Sequence, residues 1–259
     1  MVPDAGLYRP VGSRGFIVFD GAIVPQGHDI SQAEAATAAS YRNVTGPPTR
    51  PRLSGGMLKP APVLEGRFVR LEPLSEGHRE PLRAACDADP DVWTELYPVP
   101  MNGENLDVWW RRIERDQAAG AVQAYAGISA LGVVGCSVFM LDPPNRRVEI
   151  GNTYWRPDAR GGAVNPESKM LMLAHAFRPG GLYETGAAVV QFRVDAINTR
   201  SRAAVLKLGA HLDGILRHDR IVWTGRLRDT CVFSILSEEW AMVRDKLEAR
   251  LMAVSAQRV

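Results

Sequence analysis

The sequence predicts a mixed α/β fold carried by one principal domain. From Gly66 onward, alternating apolar runs of strand length take turns with helix-length segments of 3.6 periodicity. Strand pairs joined by short turns stand near both ends of that stretch. Between Arg147 and Leu208 the order is strand, glycine-rich loop, apolar helix, strand and a second helix.

The elements follow in order. RFVRLEPL (67–74) alternates apolar and polar residues and reads as a strand, and Ser75 with Glu80 opens a helix running to Ala88. Residues 104–120, with Leu106, Trp109, Trp110 and Ile113 on one face, form an amphipathic helix ended by Gly120. AYAGIS and LGVVGCSVFML form a strand pair turning near Leu131 and Gly132. The two prolines of DPPNRR (142–147) stop that strand, and Val148 to Trp155 begins the next. RGGAVN follows, with Asn165 placed to cap a helix, Pro166 at its first position and Glu167 near the positive end of its dipole. That helix is apolar on nearly every side and ends at RPGG (178–181). Residues 187–197 read as a strand with Val190, Phe192 and Val194 on one face. Thr199 to Leu208 reads as a helix closed by Gly209. Residues 210–217 and 229–236 are two further strands, and a last helix runs from Ser237 towards Leu251.

The first 56 residues differ in texture. GFIVFDGAIV (15–24) suits a strand or hairpin, SQAEAATAASY (31–41) a short helix opened by Ser31, and TGPPTRPRLSGG (45–56) a linker. The expected division is an appendage over 1–56 and a domain over 57–259. The upstream part is either a small non-catalytic appendage or an extension ahead of a natural start at Met57.

Bulk properties exclude several classes. A length of 259 residues, 46% hydrophobic and 23% charged, is ordinary for a globular protein. A formal net charge of +2 with interspersed signs argues against nucleic acid as a partner. The exception is Arg217, Arg220, Arg226 and Arg228, either a solvated hairpin or the rim of a site for an anion. Cys86, Cys136 and Cys231 lie far apart without ligand-like spacing, which argues against a metal site or a disulfide framework. No apolar run reaches the roughly 18 residues of a membrane span. With no secretory leader visible either, the cytoplasm is the expected compartment.

The chemically informative segment is the turn before the apolar helix. A glycine-rich turn opening onto a helix N-terminus holds phosphate with backbone N–H groups. LEGRFVRLEPL, EIGNTYWRPDARGGAVNPESK, VDAINTRSRAAVLKLGA, GILR and RDTCVFSILSEEW occur in this order across residues ~62–240. This arrangement resembles the GNAT acetyltransferase superfamily, in the branch akin to the RimJ and RimL ribosomal-protein N-terminal acetyltransferases. The resemblance implies a twisted mixed sheet that splays open at its middle. The pantetheine arm of acetyl-CoA enters the split, and its pyrophosphate lies on RGGAVN. One departure stands out: Asp158 occupies a position where the family's loop carries Gln or Arg, which leaves Arg160 as the nearby positive charge.

The resemblance assigns roles. Tyr154 and Trp155, through main-chain groups, with Arg160, Gly161, Gly162, Ala163, Val164, Asn165 and Asn198, would hold acetyl-CoA, with no metal. Glu149 would act as general base, directly or through a water. Its alternative is a solvent-facing strand residue paired with Arg147 or Arg193. By strand alternation Asn152 and Tyr154 face opposite to Glu149, unless a bulge breaks the parity. Asn198 doubles as a helix N-cap, and Ser201 would orient or solvate the leaving sulfur. Arg202 is either a phosphate contact or a surface arginine. His175 reads as a hydrogen-bonded core histidine. Trp93, Tyr97, Trp109 and Trp110 read as helix-packing core or as a lining for the acceptor.

The function implied is transfer of an acetyl group to a primary amine, on a protein N-terminus or a small molecule, by direct attack on the thioester. The alternative is a catalytically weak or inactive acyl-CoA-binding regulatory module. An acidic cleft would favour a cationic small amine, and an open groove a peptide. An amine-bearing acceptor is the expected partner, with no membrane, and the resemblance suggests a homodimer.

Overall fold

The structure is a computed structural model that describes residues 16–19, 22–25 and 61–256. The chain divides into two units, Met1–Arg52 and Leu53–Val259. In the first, β1 (Phe16–Phe19) pairs antiparallel with β2 (Ala22–Pro25), Ile17 opposite Val24, which is the hairpin expected there. The helix expected over 31–41, the linker over 45–56 and the boundary at 56/57 lie outside the described residues.

The second unit is built on a seven-stranded sheet in the order β3-β4-β5-β6-β7-β9-β8. Its strands are β3 (Arg70–Pro73), β4 (Val122–Ser129), β5 (Gly132–Asp142), β6 (Arg147–Trp155), β7 (Val189–Asp195), β8 (His211–Ile221) and β9 (Leu227–Leu236). The helices are α1 (Arg79–Asp87), α2 (Asp91–Glu95), α3 (Asn105–Ala118), α4 (Val164–Phe177), α5 (Thr199–Leu208) and α6 (Trp240–Ala256). Every neighbouring pair is antiparallel except β6 with β7, which is parallel and connected through α4. A parallel pair needs such a long crossover, whereas the antiparallel pairs β4–β5 and β8–β9 close with tight turns.

Two apolar clusters cover the sheet. One joins Phe139, Val148, Ile150, Val190 and Phe192 to Met172 and Leu173 of α4, Val205 of α5 and Val243 of α6. The other joins Cys136, Val138 and Tyr154 to Leu82 of α1, Trp93 of α2 and Trp109, Trp110 and Ile113 of α3. Residues 134–139 of β5 are therefore buried without interruption, as a strand covered on both faces requires.

The first sheet strand is shorter than its pattern suggests because its leading residues bond elsewhere. The backbone N–H groups of Arg67, Phe68 and Val69 donate to the carboxylate of Glu167 at 2.8, 2.5 and 2.8 Å. Glu167, buried in α4, thus ties the chain entering β3 to the central helix instead of facing the helix dipole. Gly66 is required by that approach: a Cβ there would lie 2.5 Å from the Val69 carbonyl oxygen and 2.6 Å from Glu167 Oε2.

Three local expectations shift. α4 starts at Val164 after Ala163, so Asn165 is inside the first turn and accepts from Trp155 Nε1 at 3.0 Å rather than capping. Pro166 also falls in that first turn, where a missing N–H is tolerated. A 3-10 turn over Glu76–His78 precedes α1, which starts later than Ser75 suggested. β8 and β9 extend to Ile221 and from Leu227, so the basic segment is itself a hairpin arm. In contrast, Asn198 caps α5 by accepting from Ser201 N at 2.9 Å, and Gly209 closes it at φ 99°.

Glu167→Gln is expected to destabilise the protein by about 1–3 kcal/mol, because an amide group cannot accept from all three N–H donors. Urea unfolding should show a lower midpoint at an unchanged slope, and Gly66→Ala should shift it in the same direction.

Candidate active site

The site begins where two strands part. β6 and β7 pair only over Arg147–Glu149 and Val189–Gln191, and no pairing continues beyond Glu149. The cleft that opens there has a volume of about 610 Å³. Its walls include Ile150, Gly151 and Thr153 on β6 and Phe192, Val194 and Asp195 on β7.

A bulge in β6 shapes one wall. Val138 pairs with Gly151 and Cys136 with Tyr154, so Asn152 and Thr153 together stand opposite Ser137. Asn152 takes φ 46°, a left-handed conformation that asparagine tolerates better than most residues. The extra residue breaks the simple alternation along β6. Carbonyls displaced from regular pairing are met by side chains. Tyr97 Oη donates to Thr153 O at 2.6 Å, Cys136 Sγ to Asn152 O at 3.4 Å, and Arg160 Nε to Trp155 O at 2.6 Å.

The cleft gathers most of the residues singled out from the sequence. Glu149, Trp155, Arg160, Gly161, Gly162, Asn165, Asn198 and Ser201 all line it. Ala163 is buried behind the turn, and Val164 packs against the core. The Tyr154 side chain is buried among the α1–α3 helices, where its hydroxyl donates to Ala85 O at 2.8 Å, which leaves only its main chain for a ligand. Arg160 is already engaged: besides Trp155 O, it pairs with Asp89 at 2.5 Å and lies 5.3 Å from the Tyr154 ring. It clamps the turn to the end of β6. Asp158 pairs with Arg156 at 2.8 Å, a partner that neutralises its carboxylate. Gly161 has φ 76° with open space around it, and the N–H groups of Gly161 to Val164 meet no backbone acceptor among the described residues.

Glu149 is half-buried at the mouth of the split. Burial raises its pKa, and the opposing pull of Arg193, Arg220 and Arg228 does not cancel that effect. These arginines have nearer partners. Arg193 and Arg220 reach Asp219 at 2.7 and 3.1 Å, while Arg228 lies 3.9 Å from Asp195 and donates to Arg193 O. Burial pushes the Asp219 carboxyl up, but hydrogen bonds from Thr230, Arg193 and Arg220 outweigh it and bring the value down to about 2. The basic hairpin therefore combines both sequence readings: Arg217 is exposed, and Arg220 and Arg228 line the cleft. At its tip Trp223 Nε1 donates to Trp93 O at 2.9 Å, tying the hairpin across to α2. The cleft is cationic, not acidic.

Other sequence readings resolve here too. Of the aromatic group, Trp93, Trp109 and Trp110 are core, and Tyr97 lines the cleft. His175 is buried, but neither ring nitrogen has a hydrogen-bond partner among the described residues. Burial, assisted by Arg178, lowers its pKa to about 4, so it is a neutral ring packed near Phe139 rather than a hydrogen-bonded one. Arg202 donates to Ala196 O at 3.0 Å and does not line the cleft. The three cysteines are free and buried.

Sequence reasoning missed Lys169. It is 5% exposed, and its Nζ donates to Thr153 Oγ1 at 2.6 Å and Ser137 Oγ at 2.9 Å, beneath the bulge. Helical phase contained the signal: Lys169 shares the buried face of α4 with Met172, Leu173 and Ala176. Burial lowers its pKa to about 7.

The model of the acetyltransferase (GNAT) domain matches residues 69–211. A crystal structure of a putative acetyltransferase from T. thermophilus is 33% identical, with 73% of this chain and 96% of that one covered at a TM-score of 0.62. A GCN5-related N-acetyltransferase from Brucella melitensis is 28% identical, with 75% and 87% covered at 0.66. Mycobacterium smegmatis RimJ in complex with CoA-disulfide is 20% identical, with 73% and 91% covered at 0.60, a likeness of fold. No curated protein matches the chain. Among the described residues no helix is long and apolar enough to cross a membrane, and no cluster of side chains could hold a metal.

Lys169 gives the site a testable pH signature. Below pH 7 it is charged in folded and unfolded states alike, so the cost of burying the charge is fully present. Between about 7 and its ordinary 10.5 the folded protein sheds the proton first, and stability rises with pH. Lys169→Met should therefore gain most over the wild type near pH 6, with the gain shrinking towards pH 10. Unfolding free energies at several pH values measure it, and a constant difference would mean that Lys169 titrates normally.

Proposed function

The chain belongs to the GNAT acetyltransferase family and is an acetyltransferase, and from that premise we propose that it transfers the acetyl group of acetyl-CoA to a primary amine with Glu149 as general base. The observation that carries the reading is the position of Glu149. It is the last β6 residue paired with β7, it lines the split, and burial raises its pKa. A carboxylate made more basic by its surroundings is suited to take a proton from an ammonium group at the mouth of the cleft.

The residues fit an extended, phosphate-bearing cosubstrate. Gly161 to Val164 present N–H groups at the N-terminus of α4 to the pyrophosphate, and the diverging strands offer unpaired backbone to the pantetheine amides. Asn198 and Ser201, at the start of α5, flank the same cleft. Arg200 and Lys207 add positive charge along that helix. Arg160 contributes by holding the turn in shape.

Glu149 takes a proton from the acceptor ammonium, and the neutral amine attacks the thioester carbonyl carbon. The C–N bond forms and the C–S bond breaks. The thiolate leaves beside Ser201, whose hydroxyl solvates it, and takes up the proton that the attacking nitrogen sheds as the amide forms. Alignment of the two reactants supplies much of the acceleration, on the order of 7–11 kcal/mol in well-oriented reactions. The acceptor amine belongs to a peptide N-terminus or a small molecule.

The test is thiol release from acetyl-CoA over an amine and peptide panel, beside calorimetric titration of acetyl-CoA. Glu149→Gln should lower kcat/KM by roughly 10²–10⁴ while acetyl-CoA affinity stays unchanged. In the wild type the rate should fall as pH drops through the raised pKa of Glu149, above the ordinary glutamate range, and the variant should lose this acid limb. A variant with the wild-type rate and profile would remove Glu149 from the chemistry.

A further inference from the structure

The cations of the cleft are not equivalent. Arg160 faces Asp89, Arg193 and Arg220 share Asp219, and Arg228 stands beside Asp195. Arg200, Lys207 and Arg250 also line the cleft without a carboxylate partner among the described residues, but they are exposed, whereas Arg112, from α3, is half-buried. Its Nη2 reaches only Asn152 Oδ1, at 3.3 Å, and its buried Nε has no hydrogen-bond partner among the described residues. No carboxylate among the described residues lies within 4 Å of it. Asp116, one turn along α3, pairs instead with Arg115 at 2.8 Å.

A chain of neighbours connects Arg112 to the stretch of the cleft that holds Glu149. Asn152, which accepts from Arg112, also approaches Met140 Sδ at 3.8 Å. Met140 pairs with Glu149 across β5 and β6, and all four residues line the cleft. A half-buried guanidinium with an unmet donor and no counter-ion is held at a cost in desolvation, reflected in a pKa below the ordinary arginine value. An anion arriving with the acceptor would relieve both deficits, and a carboxylate matches the guanidinium fork.

We infer that the amine acceptor carries a carboxylate and that Arg112 receives it while Glu149 faces the amine. This rests on the acetyl-transfer reading above. The shared chemistry is a primary amine with a nearby carboxylate, whether in a small amino acid or in a peptide with an acidic residue close to its N-terminus.

Matched acceptors test it in the full chain at saturating acetyl-CoA. One arm compares equal-length peptides whose second residue is glutamate or glutamine, and the other compares 4-aminobutyrate with 4-aminobutanamide. The wild type should favour the carboxylate member of at least one pair by about tenfold or more in kcat/KM, the scale of a hydrogen bond to a charged group. Whichever arm shows the preference identifies the source. Arg112→Leu should abolish it through KM, with kcat on the neutral member and acetyl-CoA affinity unchanged, and Arg112→Lys should restore part of it. Equal turnover of both members by the wild type would overturn the inference and leave acetyl transfer standing. Weaker acetyl-CoA binding in Arg112→Leu would also overturn it, because the cation would then serve the cosubstrate. Acetyl-CoA binding with no thiol release from any acceptor would overturn both readings.

Discussion

The structure depends on a parallel pairing that stops after three residues. Had β6 and β7 stayed together, the sheet would be continuous and the cleft absent. Their separation after Glu149 and Gln191 leaves backbone donors and acceptors without strand partners, an arrangement a folded protein tolerates only where water or a ligand can meet them. The bulge in β6, the side chains that satisfy its displaced carbonyls and the Lys169 contacts beneath it all support that opening. Gly127 and Gly135 serve it too: a Cβ on Gly127 would come within 2.2 Å of the Trp155 ring, and one on Gly135 within 1.9 Å of Tyr154 O.

Electrostatics divide the cleft along its length. Near the turn before α4, main-chain N–H groups and the α5 cations face one end. Around Glu149, three arginines pull its pKa down, but burial outweighs them and the net shift is upward. The β8–β9 hairpin supplies Asp219, Arg220 and Arg228 beside Arg193 and Asp195 of β7, and it reaches across to α2 through Trp223. One structural arm thus adds charge to the site and helps enclose the space.

Much of the fold was legible in the sequence because its signals are local. The 3.6 periodicity of α3, the Asn198 cap and the Gly209 stop of α5, and the alternation of β7 are each written within a few residues of where they act. The misread positions depend on partners far away in the chain. Asn165 looks like a cap, but Trp155 takes its side chain. RFVRLEPL looks like one strand, but Glu167, about a hundred residues on, takes its first three N–H groups. At the site, the turn, Glu149, Asn198 and Ser201 were visible as motifs. Arg112 and Lys169 were not, since neither lies in a motif and their environment is created by the bulge. Lys169 could have been found from helical phase, whereas Arg112 on the edge of an amphipathic helix looks like any solvated arginine.

The short seam also bears on how the protein holds together. The β4–β5–β6 meander and the β7–β9–β8 group are each built from antiparallel pairings, and the parallel ladder between them joins segments distant in sequence. Such non-local closure carries a larger loop-entropy cost than a hairpin turn. A molecule lying in the cleft touches both groups and binds best when they are properly apposed. It therefore acts as a reversible crosslink, and by mass action a concentration 100 times its Kd adds about 2.7 kcal/mol to the folded state. The resistance of this fold to unfolding would in that sense rise with the supply of whatever fills the cleft.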